Sequence, residues 1–149
     1  MTAPDDSAPS AVTYELSREL RIAVNRLSRR LRAEKADHDL TDGQTTVLGI
    51  IELTGPRTLT ELSEIERVTP PSMSRTVTAL LEAGYIERQP SDDDGRKVLL
   101  SLTANGHTLV LETRRRRDEW LYTRLATMTE AERRTLADAA SILRRLSDE

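Results

Sequence analysis

At 149 residues the chain fits one domain of ordinary size, and a composition with 37% hydrophobic residues and no Phe gives a core lean enough that oligomerisation is expected to complete it. The absence of Cys excludes disulfides, thiolate metal sites and thiol-based sensing, and His38 and His107 lie too far apart in sequence to suggest a metal site, so no cofactor or metal is expected. The formal net charge of −3 does not advertise nucleic-acid binding, although phosphate is met by a local basic surface and not by the average. With no apolar run of membrane-spanning length and no signal-peptide pattern, the expected location is cytoplasmic, without membrane contact.

Residues 1–12, with two prolines, acids and small residues, read as a flexible tail. From there a single domain is expected over 13–149. A helical stripe of Leu16, Leu20, Val24, Leu27 and Leu31 predicts a first helix ending near Ala36, with arginines over much of its remaining surface. Thr41 with Gln44, Thr58 with Glu61 and Thr129 with Glu132 each carry the spacing of a capping box, in which two side chains satisfy orphan backbone donors reciprocally. The first opens a helix with Val47, Leu48, Ile51 and Leu53, stopped by Gly55-Pro56. The second opens a short helix with Leu62 and Ile65. The third opens the last helix, with Leu136, Ala139, Ala140, Leu143 and Leu146 on its apolar side. Thr69-Pro70-Pro71 begins another helix, since proline in the first turn loses no needed hydrogen bond, and Gly84 ends it. Tyr85–Arg88 and Val98–Leu102 read as strands of a hairpin, and Thr103 caps a long helix from Ala104 to about Ala126.

The fold class is therefore mainly α with a small β-hairpin wing (α+β). A short helix over Leu59–Glu66, a turn at Arg67-Val68-Thr69, a second helix over Pro70–Ala83 and then a hairpin form a winged helix-turn-helix, spanning 41–103. The second helix suits a major groove, and Ser72, Ser74, Arg75 and Thr78 lie on faces that Val77, Leu80 and Leu81 leave free. The hairpin tip holds Arg96 and Lys97, and Asp94 stands where a carboxylate can brace the guanidinium for the minor groove. The DNA-facing set is Thr60, Thr69, Ser72, Met73, Ser74, Arg75, Thr78, Arg88, Arg96 and Lys97, with Asp94 as wing brace.

Leu59-Thr60-Glu61-Leu62, PPSMSRTVTALLEAGYIER over Pro70–Arg88, and Asp94-Gly-Arg96 leading to Leu102-Thr103-Ala-Asn-Gly106 together resemble the multiple-antibiotic-resistance regulator (MarR) family, and the flanking helices match as well. The resemblance implies a homodimer whose layer is built from 13–36 and 104–149, with Leu16, Leu20, Val24, Leu27, Leu136, Leu143 and Leu146 as dimerisation residues. It implies recognition helices in successive major grooves of a pseudo-palindrome in double-stranded DNA, contacts by Ser72, Ser74 and Arg75, and a wing-tip contact by Arg96 with Asp94. It also implies a repressor, released by a small phenolic or anionic aromatic inducer bound between the dimerisation and DNA-binding parts.

Other readings stand beside these. Arg114–Arg117 occupy four consecutive positions around a helix and read as a solvated face with pairs such as Glu112–Arg116, not a phosphate patch. Trp120 is a packing residue or a pocket wall, Arg75 a DNA contact or the partner of an acid such as Glu82, and Arg88 a phosphate contact or a brace. The Asp92–Asp94 run lacks the alternating ligands and closing Glu of a calcium loop. A winged helix used only for protein association is the competing non-catalytic function. No nucleophile–base pair, glycine-rich phosphate loop or metal-ligand spacing supports an enzyme.

Overall fold

Capping, glycine stops and the hairpin partition the described residues into eight elements: α1 (Ala11–Ala33), α2 (Asp42–Thr54), α3 (Leu59–Glu66), α4 (Pro70–Glu82), β1 (Ile86–Pro90), β2 (Val98–Leu102), α5 (Ala104–Ala126) and α6 (Glu130–Ser147). The structure, a computed structural model, describes residues 11–91 and 95–147. The expected tail falls mostly outside that range. The chain divides into two units, one containing α1 and the other running Glu34–Glu149.

Helix α1 buries none of its residues. Its apolar stripe is open to solvent in the single chain, with Leu16 60% and Leu27 46% exposed. The helix stops at Ala33, short of the expected Ala36, because the Ala36 N–H is donated instead to Thr113 Oγ1 at 3.1 Å.

In the second unit the capping boxes form as the local pattern predicts. Thr41 Oγ1 accepts from the Gln44 N–H at 3.2 Å while the Thr41 N–H donates to Gln44 Oε1 at 2.8 Å. Thr58 and Glu61 do the same for α3 at 3.2 and 2.7 Å. Helix α2 buries Val47, Leu48 and Ile51, but Leu53 is 82% exposed. Two residues beyond Ile51 is about 200° around the helix, so Leu53 faces away from the side that Leu48 and Ile51 define. Ile65 of α3, also read as an inward residue, shares a face with buried Leu62 but lies in the last turn of this short helix and is 48% exposed.

Helix α4 ends in a left-handed glycine stop. Gly84 has φ +74°, its N–H donates to the Leu81 carbonyl at 3.1 Å, and the Tyr85 N–H donates to the Leu80 carbonyl at 3.1 Å. These two bonds are the Schellman pattern, which suits a residue without a Cβ. Tyr85 is thereby kept out of the sheet, and β1 starts at Ile86 instead. The strands pair antiparallel from Ile86 opposite Leu102 to Pro90 opposite Val98. Pro90, expected in the connecting segment, closes β1, where its missing N–H leaves no gap inside the ladder. Residue Arg57, between α2 and α3, adds an isolated antiparallel bridge to Leu100 of β2, with backbone bonds of 3.1 and 2.8 Å.

The core gathers Leu40, Val47, Leu48, Ile51, Leu62, Met73, Val77, Leu80, Ile86 and Leu100, all but Leu40 within the winged helix-turn-helix span of 41–103. Helix α5 begins at the Thr103 cap, whose hydroxyl accepts from the Gly106 N–H at 3.1 Å. The Thr129–Glu132 box precedes α6, with bonds of 2.8 and 3.3 Å. Helix α6 buries none of its residues, and its apolar stripe leaves Leu136 44% and Leu146 57% exposed. Among the described residues no helix is long and apolar enough to cross a membrane.

Candidate nucleic-acid interface

The turn between α3 and α4 sets which side of α4 faces outward. Arg67 takes a left-handed conformation with φ 53° and closes α3, its N–H donating to the Glu64 carbonyl at 3.2 Å. The Val68 N–H then donates to the Ser63 carbonyl at 3.1 Å. The sequence offered little warning of this, because a non-glycine left-handed residue carries no compositional mark. Thr69 occupies the N-cap of α4 without a side-chain capping bond, and prolines fill the first two helical positions. The prolines remove two donors from the helix start and leave the Ser72 N–H as the first donor of that turn.

From this start the helix phase divides the residues. Met73, Val77 and Leu80 are buried, 73 and 77 one turn apart and 80 the next. Ser74, Arg75 and Thr78 are exposed, and Ser72 is half-buried at the edge of the same polar side. The placement of Met73 in the DNA-facing set is corrected here. Its side chain is 2% exposed in the core, and a base contact needs a side chain that reaches solvent. Among the described residues no ion pair involves Arg75, so pairing with Glu82 does not hold it.

The hairpin extends beside this helix. Arg88 is exposed on β1, paired in register with Leu100, and Arg96 and Lys97 are exposed ahead of β2. The Ser91 N–H closes the hairpin onto the Lys97 carbonyl at 3.0 Å. Asp94, the expected brace for Arg96, lies outside the described residues, as does the rest of the Asp92–Asp94 run. An open groove between the start of α3 and the wing is bordered by Arg57, Thr60, Lys97 and Val98. Thr60 is exposed on its rim. The Glu61 carboxyl sits below the usual carboxylate range, chiefly because the Thr58 N–H and then its hydroxyl donate to it, with Arg57 and Lys97 adding smaller attraction. Arg57 was missed by sequence reading. Its only local signal is a basic residue directly before a capping threonine.

The basic run of α5 behaves as a solvated face over half its length. Arg115 and Arg116 both bond Glu112, at 2.9 Å each, and Arg115 also reaches Glu119 at 2.8 Å. These two guanidiniums hold the Glu112 carboxyl down to about 2. Arg114 and Arg117 instead line a cavity of about 170 Å³ between α2 and α5, with Leu48 and Leu109 on its apolar side. Trp120 packs its ring under the Arg124 guanidinium at 3.6 Å. That contact is structural, and Trp120 is not among the residues lining this cavity.

A family model described as the MarR family matches residues 40–98. An HTH-type transcriptional regulator of Mycobacterium tuberculosis is 40% identical over 134 residues, covering 90% of this chain and 94% of its own. The crystal structure of wild-type MarR from E. coli, in the apo form, superposes with a TM-score of 0.73 at 26% identity, covering 86% of this chain and 95% of that one. A Staphylococcus aureus MepR mutant, F27L, bound to an oligodeoxyribonucleotide superposes with a TM-score of 0.65 at 22% identity, covering 88% and 97%.

Proposed function

The chain belongs to the MarR family and is a DNA-binding transcriptional regulator, and from that premise we propose that it is a ligand-responsive repressor that binds a pseudo-palindromic operator as a homodimer. The observation that carries the reading is the division of α4, with Met73, Val77 and Leu80 buried and Ser74, Arg75 and Thr78 presented outward on one rigid helix. Hydroxyls and a guanidinium on a helix of this width suit base edges and phosphates in a major groove. Arg88, Arg96 and Lys97 on the wing and Thr60 at the start of α3 add the flanking backbone contacts, with Asp94 as brace for Arg96. The solved MepR structure with an oligodeoxyribonucleotide supports this use of the fold.

Dimerisation is supported by the open stripes of α1 and α6, where Leu16, Leu20, Val24, Leu27, Leu136, Leu143 and Leu146 carry the apolar area that a single chain leaves without cover. A twofold pair then sets two recognition helices about 34 Å apart, one duplex turn. Ligand response is supported by the α2–α5 cavity. Its apolar wall, and its cations Lys35, Arg114 and Arg117 set against the carboxylates Asp37 and Asp118, suit a small phenolic or anionic aromatic compound.

The test is a titration of the purified dimer with its own upstream DNA over a series of salt concentrations. Affinity should fall with a log–log slope of about −0.9 per neutralised phosphate, and a random duplex should bind far more weakly. Weak binding that ignores both salt and sequence would reassign the module to protein association.

A further inference from the structure

We propose that Tyr85 positions the recognition helix, that Asp37 holds it there, and that occupancy of the α2–α5 cavity is transmitted to the DNA-binding face through their hydroxyl–carboxylate bond. The proposal rests on the ligand-responsive reading above and identifies residues through which the response travels.

Tyr85 moves with α4. Its N–H closes the last turn on the Leu80 carbonyl, and its own carbonyl accepts from the Thr103 N–H at 3.1 Å. Thr103 Oγ1 also donates to the Gly84 carbonyl at 2.6 Å. The end of α4, the root of the wing and the start of α5 are therefore one block, and Tyr85 is embedded in it. From that block its Oη reaches across 48 positions of sequence to donate to Asp37 Oδ2 at 2.7 Å.

Asp37 lies in the wall of the cavity together with Lys35 and Thr113. The short segment carrying it is suspended from α5 by two bonds, Ala36 N–H to Thr113 Oγ1 at 3.1 Å and Arg116 Nη1 to the Lys35 carbonyl at 3.3 Å. An occupant that presses on Thr113 or draws Lys35 displaces Asp37 and lengthens its bond to Tyr85. The bond is well made, at 2.7 Å. Tyr85 is the first cause, and the Asp39 N–H the second, holding the Asp37 carboxyl below its usual range, so a charged acceptor faces a neutral donor.

A separate observation comes from α2. Gly49 sits in mid-helix, where glycine is less stable than alanine, yet a Cβ built there meets no atom within 4 Å. No packing contact explains the glycine. It does line the cavity, and the space around a Cβ at that position is open, so a larger side chain there has room to occupy the cavity.

Gly49 therefore offers a test that needs no ligand. Gly49→Leu, Tyr85→Phe and the double variant are compared with wild type as full-length dimers, reading operator affinity by fluorescence anisotropy and assembly by gel filtration. Gly49→Leu should weaken operator binding by roughly 5- to 150-fold, the usual span of coupling between sites, with the dimer intact. Tyr85→Phe should weaken it too, and adding Gly49→Leu to Tyr85→Phe should change affinity by less than about twofold, the non-additivity of residues acting through one link. Gly49→Ala should bind as wild type, and Gly49→Met replaces Gly49→Leu if the latter does not fold. The proposal is overturned if filling the cavity leaves operator affinity unchanged, if Gly49→Ala weakens it equally, or if the effect persists undiminished without the Tyr85 hydroxyl. Sodium salicylate added to the wild-type complex tests the underlying reading separately. Release of DNA by salicylate without coupling between Gly49 and Tyr85 discards the link and keeps the reading, whereas coupling without release keeps the link and discards that ligand class.

Discussion

Gly106→Ala sets two physical effects against each other. Position 106 lies in the first turn of α5, where replacing glycine by alanine should stabilise the helix by about 1 kcal/mol from propensity alone. The added Cβ, however, would lie 2.0 Å from the Tyr85 carbonyl oxygen and 3.3 Å from Leu102 Cδ2. Ordinary carbon–oxygen contacts are near 3.3 Å, so the two backbones must part by about 1.3 Å. The Leu102 tip can swing aside, but the Tyr85 carbonyl cannot move alone. It accepts from the Thr103 N–H at 3.1 Å, and the same threonine bonds the Gly84 carbonyl and the Gly106 N–H. Overpacking costs about 1–3 kcal/mol, and loosening two hydrogen bonds adds about 1 kcal/mol each. Net of propensity, the variant should lose roughly 2–4 kcal/mol, a large share of a typical folding free energy of about 5–15 kcal/mol. Urea unfolding at fixed protein concentration, followed by circular dichroism, measures this directly. A midpoint that stays put or rises would show that the close approach of α5 to Tyr85 does not constrain the fold.

The corrected position of Met73 makes an opposite forecast from a base contact: Met73→Ala should destabilise by about 2–5 kcal/mol, while Met73→Leu should cost less than about 1.5 kcal/mol and keep operator preference, as thermal melts and DNA titrations would show. Arg75→Ala should weaken operator binding by about 1–3 kcal/mol if the guanidinium reads a base, and an equal loss on random DNA would move it to phosphate. Arg96→Ala should weaken operator binding with the dimer intact, and unchanged affinity in a fluorescence titration would remove the wing from the interface. Glu61, held below its usual range first by the Thr58 N–H, contributes stability that is complete above its unfolded value and is lost as pH falls through the lower folded one. Glu61→Gln should therefore flatten the acid limb of a melting-temperature profile relative to wild type, and superimposable limbs would show that the capping carboxylate carries no linked stability.

Helix starts were legible because the forces that begin a helix are local. Thr41, Thr58 and Thr103 each bond a backbone N–H three residues on, so the pattern of sequence is itself the pattern of contact. Gly55 and Gly84 as stops, the two prolines opening α4 and the pairing of Val98–Leu102 were readable for the same reason. The outward residues Ser74, Arg75 and Thr78 followed from helical phase, and Met73 was misplaced although its spacing to Val77 and Leu80 put it on the inward stripe.

Leu53 and Ile65 show the limit of reading apolar residues as buried ones: Leu53 is out of phase with Ile51, and Ile65 sits in the last turn of its helix, so each is exposed. The Arg57–Leu100 bridge, the approach of Gly106 to Tyr85, the Tyr85–Asp37 bond and the cavity beside Gly49 join residues far apart along the chain. A hydrogen bond or a void of that kind depends on where whole helices come to rest. Individual side chains therefore carried the motif and the direction of its polar face, whereas the packing of α2 against α5 and of α5 against the end of α4 determined which distant groups could touch.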